Sequence, residues 1–238
     1  MINKLGILGG LGPLATAYFF QLILDMTDAK IEQEHIEISI YNKPSIPDRT
    51  SYILDRSKDN PIPAMIEVGK VLKKQLVDYI AIPCITAHYF LEELEKNIEL
   101  PIIDGVEETV QYLKKHGIKR VGIMATEGTV SSGLFQKKLE KHKIESIVPK
   151  EAEQEYINHI IYNNVKLNKA VDMDKFNLVA DKLRAMGAEC IILGCSELSL
   201  IKGKYDISED FIDTMEVLAR ASIINCKGRL KEEYKYLL

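Results

Sequence analysis

The chain lacks an unbroken apolar run of membrane-spanning length, an excess of positive charge, and any pair of cysteines in a CxxC spacing. Each absence removes a class of function. Residues 5–24 carry no charged side chain, but Gly6, Gly9, Gly10, Gly12 and Pro13 interrupt them, so a strand, a glycine loop and a helix explain the stretch better than a bilayer span or secretion signal. The 31 lysines and arginines are outnumbered by 35 aspartates and glutamates, for a net charge of −4. With no basic run long enough to track a phosphate backbone, neither nucleic acid nor membrane is an expected partner. Cys84, Cys190, Cys195 and Cys226 include no metal-ligand spacing, and no histidine stands near Cys190 and Cys195, so no metal is expected. Without a secretion signal the thiols are expected to be reduced and the location cytoplasmic. What is present is ordinary globular composition, 46% hydrophobic and 28% charged in 238 residues, enough for one large domain or two small ones.

Short apolar runs alternate with longer amphipathic segments. Residues 36–41, 79–82, 120–124 and 190–193 read as buried strands, and 13–28, 63–75, 106–116, 132–142 and 175–186 as helices, an α/β pattern with parallel sheets. Gly117 and Gly187 follow two of these helices as C-terminal caps. The sequence is also internally duplicated. KLGILGGLGPLAT at 4–16 matches KRVGIMATEGTVS at 119–131; VDYIAIPCITAHYF, with Cys84, matches AECIILGCSELSL, with Cys195; and PIIDGVEETV, with Asp104, matches DFIDTMEVLA, with Asp213. Gly6 and Cys84 lie 78 residues apart, Gly122 and Cys195 73. The expected architecture is two pseudo-symmetric lobes, 1–104 with 214–238 and 105–213, each a parallel sheet flanked by helices. Because open parallel sheets bind ligands at the carboxyl ends of their strands, the active site is expected in the cleft between the lobes, with the two thiols facing each other across it. Residues 227–238 read as a solvated, charged tail.

Cys84 and Cys195 each follow an apolar strand and precede an expected helix start, a position that lowers a thiol pKa. Two opposed thiols suit the removal of a proton from one face of a carbon acid and delivery of one to the other, with roles reversed for the opposite enantiomer. The carbanion needs donors aimed at the α-carboxylate, and Thr86, Ser196, Thr126 and Thr129, in loops after strands, are candidates. GxGxxA at 10–15 matches a dinucleotide fingerprint, but the second strand has no acidic residue at its end and Pro13 lacks an N–H. No cofactor is expected, and Gly10 and Leu11 are expected to line a small-molecule site instead. Arg49, in a proline-bounded loop, reads either as solvated surface or as a guanidinium for bidentate carboxylate binding; Lys166 is open in the same way. His88 reads as bonding nearby backbone rather than acting as a base, and Cys190 and Cys226 as packing residues.

GGLGPLAT at 9–16, PSIPDRT at 44–50, PCITAH at 83–88, ATEGTV at 125–130, IYNNVK at 161–166 and GCSEL at 194–198 together resemble the cofactor-independent aspartate/glutamate racemase superfamily, in particular its aspartate racemase branch. The resemblance implies Cys84 and Cys195 as proton-transfer residues, no pyridoxal phosphate, no metal, and a homodimer. It also implies Arg49 taking the substrate side-chain carboxylate with Lys166 assisting, hence an acidic amino acid, aspartate or glutamate, as substrate. Ser196 keeps a hydroxyl where threonine is common. Ile85 departs from the asparagine of the pattern and loses a hydrogen bond to the substrate worth about 1–3 kcal/mol. That departure bears on which amino acid is used more than on the reaction type. Isomerisation of an unsaturated diacid, decarboxylation of a malonate, and mere binding of an acidic amino acid are the alternatives.

Overall fold

The charge-free stretch near the start of the chain folds as a buried strand, β1 (Leu5–Gly9), and a helix, α1 (Pro13–Met26), with proline in the first turn where its missing N–H is harmless. The computed structural model describes residues 3–237. Met1, Ile2 and Leu238, assigned above to the first lobe, lie outside the described residues. β2 (Ile38–Asn42), α2 (Arg49–Leu54), α3 (Ile62–Lys74), β3 (Tyr79–Ala81) and α4 (Leu91–Ile98) follow, with a 3-10 turn at Ile85–Phe90 between β3 and α4. The strands pair in parallel in the order β2-β1-β3, and a parallel bridge from Ile80 to Ile102 extends the sheet by one more position.

The chain then repeats this layout. α5 (Gly105–Lys115), β4 (Arg120–Met124), α6 (Glu127–Ser131), α7 (Leu134–Lys141), β5 (Glu145–Ile147), α8 (Glu151–His159), a π-helical turn at Ile160–Val165, α9 (Met173–Ala185), β6 (Cys190–Leu193), α10 (Ser196–Lys202) and β7 (Phe211–Asp213) precede a last helix, α11 (Thr214–Asn225). The second sheet is parallel throughout, in the order β5-β4-β6-β7. The chain divides into a unit formed by residues up to Gly105 together with Met215–Leu237, and a unit formed by Val106–Thr214. Each unit therefore ends its sheet before handing the chain over: α5, after the first sheet, belongs to the second unit, and α11, after the second sheet, belongs to the first.

In the first unit the sheet is covered on both faces. Leu5, Ile7 and Ala81 pack with Phe19, Ile23 and Met26 of α1 and with Met215, Leu218 and Ala219 of α11. Leu8, Ile80 and Ile82 pack with Met65, Val68 and Leu72 of α3 and Leu94 and Ile98 of α4. Such two-sided cover is what continuous apolar strands require. The close approach of α3 is possible because Gly6 has no side chain: a Cβ there would stand 3.3 Å from Leu72 Cδ1 and 3.0 Å from Val77 Cγ2. In the second unit Gly122 plays the same part under α9, where a Cβ would stand 3.1 Å from Leu183 Cβ.

The helix expected over 132–142 is α7, Leu134–Lys141, whose start is set by Gly133 in a left-handed φ of +68° that separates it from α6. One sequence expectation is corrected here. The tail is not solvated throughout. Leu230 bridges to Thr27, Asp28 N–H donates to the Arg229 carbonyl, and Leu230, Tyr234 and Leu237 pack against the first unit's apolar cluster. Its apolar side chains sit between the charges at spacings that one surface can take up.

Gly117 and Gly187 do end α5 and α9 with left-handed φ of +76° and +95°. Ile118 N–H reaches the Leu113 carbonyl and Ala188 N–H the Leu183 carbonyl, closing both helix ends. Gly10 is left-handed too, at +93°, but there a Cβ would stand 2.4 Å from the Lys43 carbonyl carbon, whereas at Gly117 it would meet open space. Gly117→Ala should therefore cost about 1–2 kcal/mol of left-handed strain alone. Gly10→Ala should cost distinctly more, with the difference read as the separation of the two urea midpoints at unchanged slope.

Candidate functional site

In the first unit the site residues gather at the carboxyl ends of β1 and β3. The loop after β1 is pinned by Thr16, whose hydroxyl accepts from Gly10 N–H at 3.0 Å and donates to the Gly12 carbonyl at 2.9 Å. Lys43 N–H donates to the Gly9 carbonyl, so the backbone after β2 runs directly against this loop. Leu11 is buried, and its carbonyl takes a 2.7 Å hydrogen bond from Arg49 Nη2. Arg49 Nη1 donates to the carbonyls of Pro47, at 2.9 Å, and Ile46, at 3.4 Å. The arginine read as possible solvated surface is thus 7% exposed, at the start of α2, and ties the two loops together. Charge alone gave no signal of this, because a guanidinium can be buried when carbonyl oxygens meet its fork. Asp48 caps the same helix by accepting from Ser51 N–H at 2.8 Å.

Cys84 follows β3, 6% exposed, in the apolar cluster that also holds Leu11 and Ile46. Its N–H donates to the Ile82 carbonyl at 2.7 Å, a tight turn through Pro83, and its carbonyl accepts from Ala87 N–H at 3.0 Å as the 3-10 turn begins. Ile85 and Thr86, both buried, occupy that turn. Ile85 Cδ1 lies 3.5 Å from where a Cβ on Gly105 would stand, so the side chain fills space inside the first unit. His88 Nε2 meets the Ile82 carbonyl at 3.0 Å, as expected of a backbone-bonding histidine, and its Nδ1 lies 3.8 Å from Asp104.

The second unit builds the matching strand ends with different chemistry. Gly194 N–H donates to the Met124 carbonyl at 2.8 Å, keeping the ends of β4 and β6 adjacent, and a Cβ on Gly194 would stand 2.9 Å from Phe135. Thr126 caps α6: its hydroxyl accepts from Thr129 N–H at 3.3 Å and lies 3.0 Å from the Thr129 hydroxyl. Cys195 occupies the extended residue before α10, 4% exposed. Its thiol donates to Glu197 Oε2 at 2.9 Å, and the Ser196 hydroxyl donates to the same oxygen at 3.1 Å. Lys166 ends the π-helical turn, its Nζ 4.1 Å from the centre of the Tyr162 ring.

These placements correct two expectations. Thr86, Thr129 and Ser196 lie inside first helical turns rather than in loops, so their hydroxyls are held by regular backbone. The Cys195 thiol is pushed well up, not down: burial dominates, the Glu197 carboxylate adds to it, and the Lys166 ammonium opposes it. Glu197 escaped the sequence reading although its signal was present, a carboxylate two residues after a thiol in the first turn of a helix. Cys190 and Cys226 are buried, and burial pushes each to about 12, in keeping with packing roles. A surface groove between α8 and α9, lined by Lys150, Glu153, Lys182 and Met186, contains none of the site residues. Among the described residues no group of histidine, cysteine or acidic side chains could hold a metal ion, and no helix is long and apolar enough to cross a membrane.

The family model described as Asp/Glu/Hydantoin racemase matches residues 8–222. The aspartate racemase of Picrophilus torridus superposes with a TM-score of 0.83 at 31% identity, covering 98% of each chain. The broad specificity amino-acid racemase RacX of Bacillus subtilis is 27% identical over 92% of this chain and 96% of its own. The glutamate racemase of Aquifex pyrophilus superposes with a TM-score of 0.59 at 25% identity, covering 93% of this chain and 83% of that one.

If Arg49 is the strut between its loops, Arg49→Met should lower unfolding free energy by about 2 kcal/mol or more, because the hydrogen bonds it gives are charge-assisted. A solvated arginine would leave the urea midpoint unchanged.

Proposed function

The chain belongs to the Asp/Glu/hydantoin racemase family and is an amino-acid racemase, and on that premise we propose that Cys84 and Cys195 are its two proton-transfer groups and an acidic amino acid, aspartate or glutamate, its substrate. The observation that carries this reading is the equivalence of the two thiols. The two sheets share one strand order, and each cysteine follows the equivalent strand, β3 or β6, directly before a helical turn. Packing alone gives no reason for a cysteine at both positions.

In one direction a thiolate removes the α-proton and becomes a thiol, while the opposite thiol donates its proton to the other face of the carbanion and becomes a thiolate. Protons balance, the amino acid is inverted, and the next molecule of the same enantiomer requires the two thiols to exchange states again. The α-carboxylate takes up enolate charge as the proton leaves, and the hydroxyls of Thr86, Thr126 and Thr129 are candidate donors for it, whereas the Ser196 hydroxyl, also a sequence candidate, gives its proton to Glu197. Arg49 and Lys166 supply positive charge for a side-chain carboxylate, which is why an acidic substrate is favoured. Neither proton transfer calls for a cofactor, since the chain's own thiols carry both. Ile85 is buried and fills space inside the first unit, so it offers the substrate no polar contact, and this bears on the ranking of substrates.

Proton NMR in D2O with separate L and D forms of aspartate, glutamate and alanine, alongside chiral analysis, should show α-proton loss with inversion for the acidic amino acids without added cofactor. Cys84→Ala and Cys195→Ala should each lower racemisation by about 10²–10⁴-fold or more. Full activity in both variants would remove the two-thiol reading, and inversion of alanine ahead of both acids would remove the substrate assignment.

A further inference from the structure

The two thiols stand at equivalent positions but do not have equivalent neighbours. Matching Cys84 with Cys195 along the repeat puts Thr86 opposite Glu197. A neutral hydroxyl in the first unit is replaced by a carboxylate in the second, and that carboxylate is buried and takes the Cys195 S–H at 2.9 Å. We propose that Glu197 is a positioning residue that keeps Cys195 in its thiol form at rest, so that the second unit's cysteine enters the cycle as the acid. The resting enzyme is then preset for the enantiomer whose α-proton is removed by the first unit's cysteine acting as thiolate. This rests on the assignment of Cys195 to proton transfer made above.

Glu197 Oε2 takes both the Cys195 thiol and the Ser196 hydroxyl, which fixes the side chain across the start of α10. A thiolate formed there would place a second negative charge against the first, away from water, and like charges at such range disfavour the ionised form. Among the described residues, charged groups that act on this helix from other elements include Lys166, from the π-helical turn, and Asp213, at the end of β7. Lys166 pulls toward the thiolate; Asp213 takes the Ser199 hydroxyl at 2.5 Å. Burial and Glu197 together outweigh Lys166, and the thiol is pushed up. When Cys195 gives its proton to the carbanion, the thiolate left behind is a strong base beside a carboxylate. It recovers a proton from the α-carbon of the opposite enantiomer or from water, so Glu197 itself need not change protonation state.

The test is the pH profile of Cys195 alkylation by iodoacetamide, quantified at its own peptide by mass spectrometry, in the native protein and in Glu197→Gln. In the native protein Cys195 should stay unmodified until well above the pH at which a free thiol reacts. In Glu197→Gln, which keeps shape and loses charge, the profile should move down by about one pH unit or more, corresponding to about tenfold more thiolate at a given pH below both midpoints. The alkaline fall in kcat/KM for racemisation should move down with it, equally for both enantiomers, since an acid must stay protonated to act. A merely structural role would lower stability without moving either profile. A native Cys195 that titrates like a free thiol would overturn the proposal even if Glu197→Gln fails to fold, and so would unchanged profiles in a folded variant. Undiminished racemisation in Cys195→Ala would instead overturn the two-thiol reading and with it the acid role, while leaving the alkylation shift in place.

Discussion

In each unit the central strand carries a glycine directly beneath a helix leucine, Gly6 under Leu72 and Gly122 under Leu183, and the rest of the architecture depends on that contact. A Cβ at either position would stand 3.0–3.1 Å from its nearest neighbour, so the packed side chains would have to give by a few tenths of an ångström, and in an interior as dense as an organic crystal a single added methyl group is felt. With the helix seated, β1 and β3, and likewise β4 and β6, end at fixed heights, and the segments leaving those ends are all short. The glycine loop, the turn through Pro83 and the Gly194–Cys195 step are each anchored within a residue or two of a strand. The site residues are precise because the sheets beneath them are.

The opposite pulls on Cys195 show how magnitudes decide a local argument. A helix start favours a thiolate by about 0.3–1 kcal/mol, less than one pKa unit, whereas full burial raises a thiol by up to about 3–5 units. A seven-residue helix such as α10 cannot overcome that burial, and the nearby carboxylate reinforces it. Residue spacing placed Cys195 directly before a helix, as α10 shows, yet gave the wrong sign for the pKa, because burial is a property of the packed fold and not of the local motif.

The parts of the fold that sequence revealed share one cause: they rest on side chains whose local pattern has one physical reading. Apolar strands such as 120–124 and 190–193, helix-ending Gly117 and Gly187, the interrupted run at 5–24 and the duplicated motifs are of that kind. What escaped was set by distant partners. Arg49 looks like surface until the Leu11 carbonyl, 38 residues away in sequence, is seen to receive it. The tail looks solvated until Thr27 and the α1 face are placed beside it. β5 and β7, three residues each, are too short to show a period, and the π-helical turn before Lys166 has no compositional signature at all. The equivalent strand-end positions of Cys84 and Cys195 were legible because a repeat doubles the information at each position.

The return of α11 to the first unit has a consequence for how the protein is made. Phe19, Ile23 and Met26 of α1 share one apolar cluster with Met215, Leu218 and Ala219, and the segment ending in Leu230, Tyr234 and Leu237 covers that cluster further. On a ribosome the first sheet emerges with this face uncovered while the whole second unit is translated, an interval of about 5–20 s at ordinary elongation rates. The second unit, continuous in the chain from Val106 to Thr214, has no such wait. The half that is synthesised first is therefore the half whose core cannot close until the chain is nearly complete.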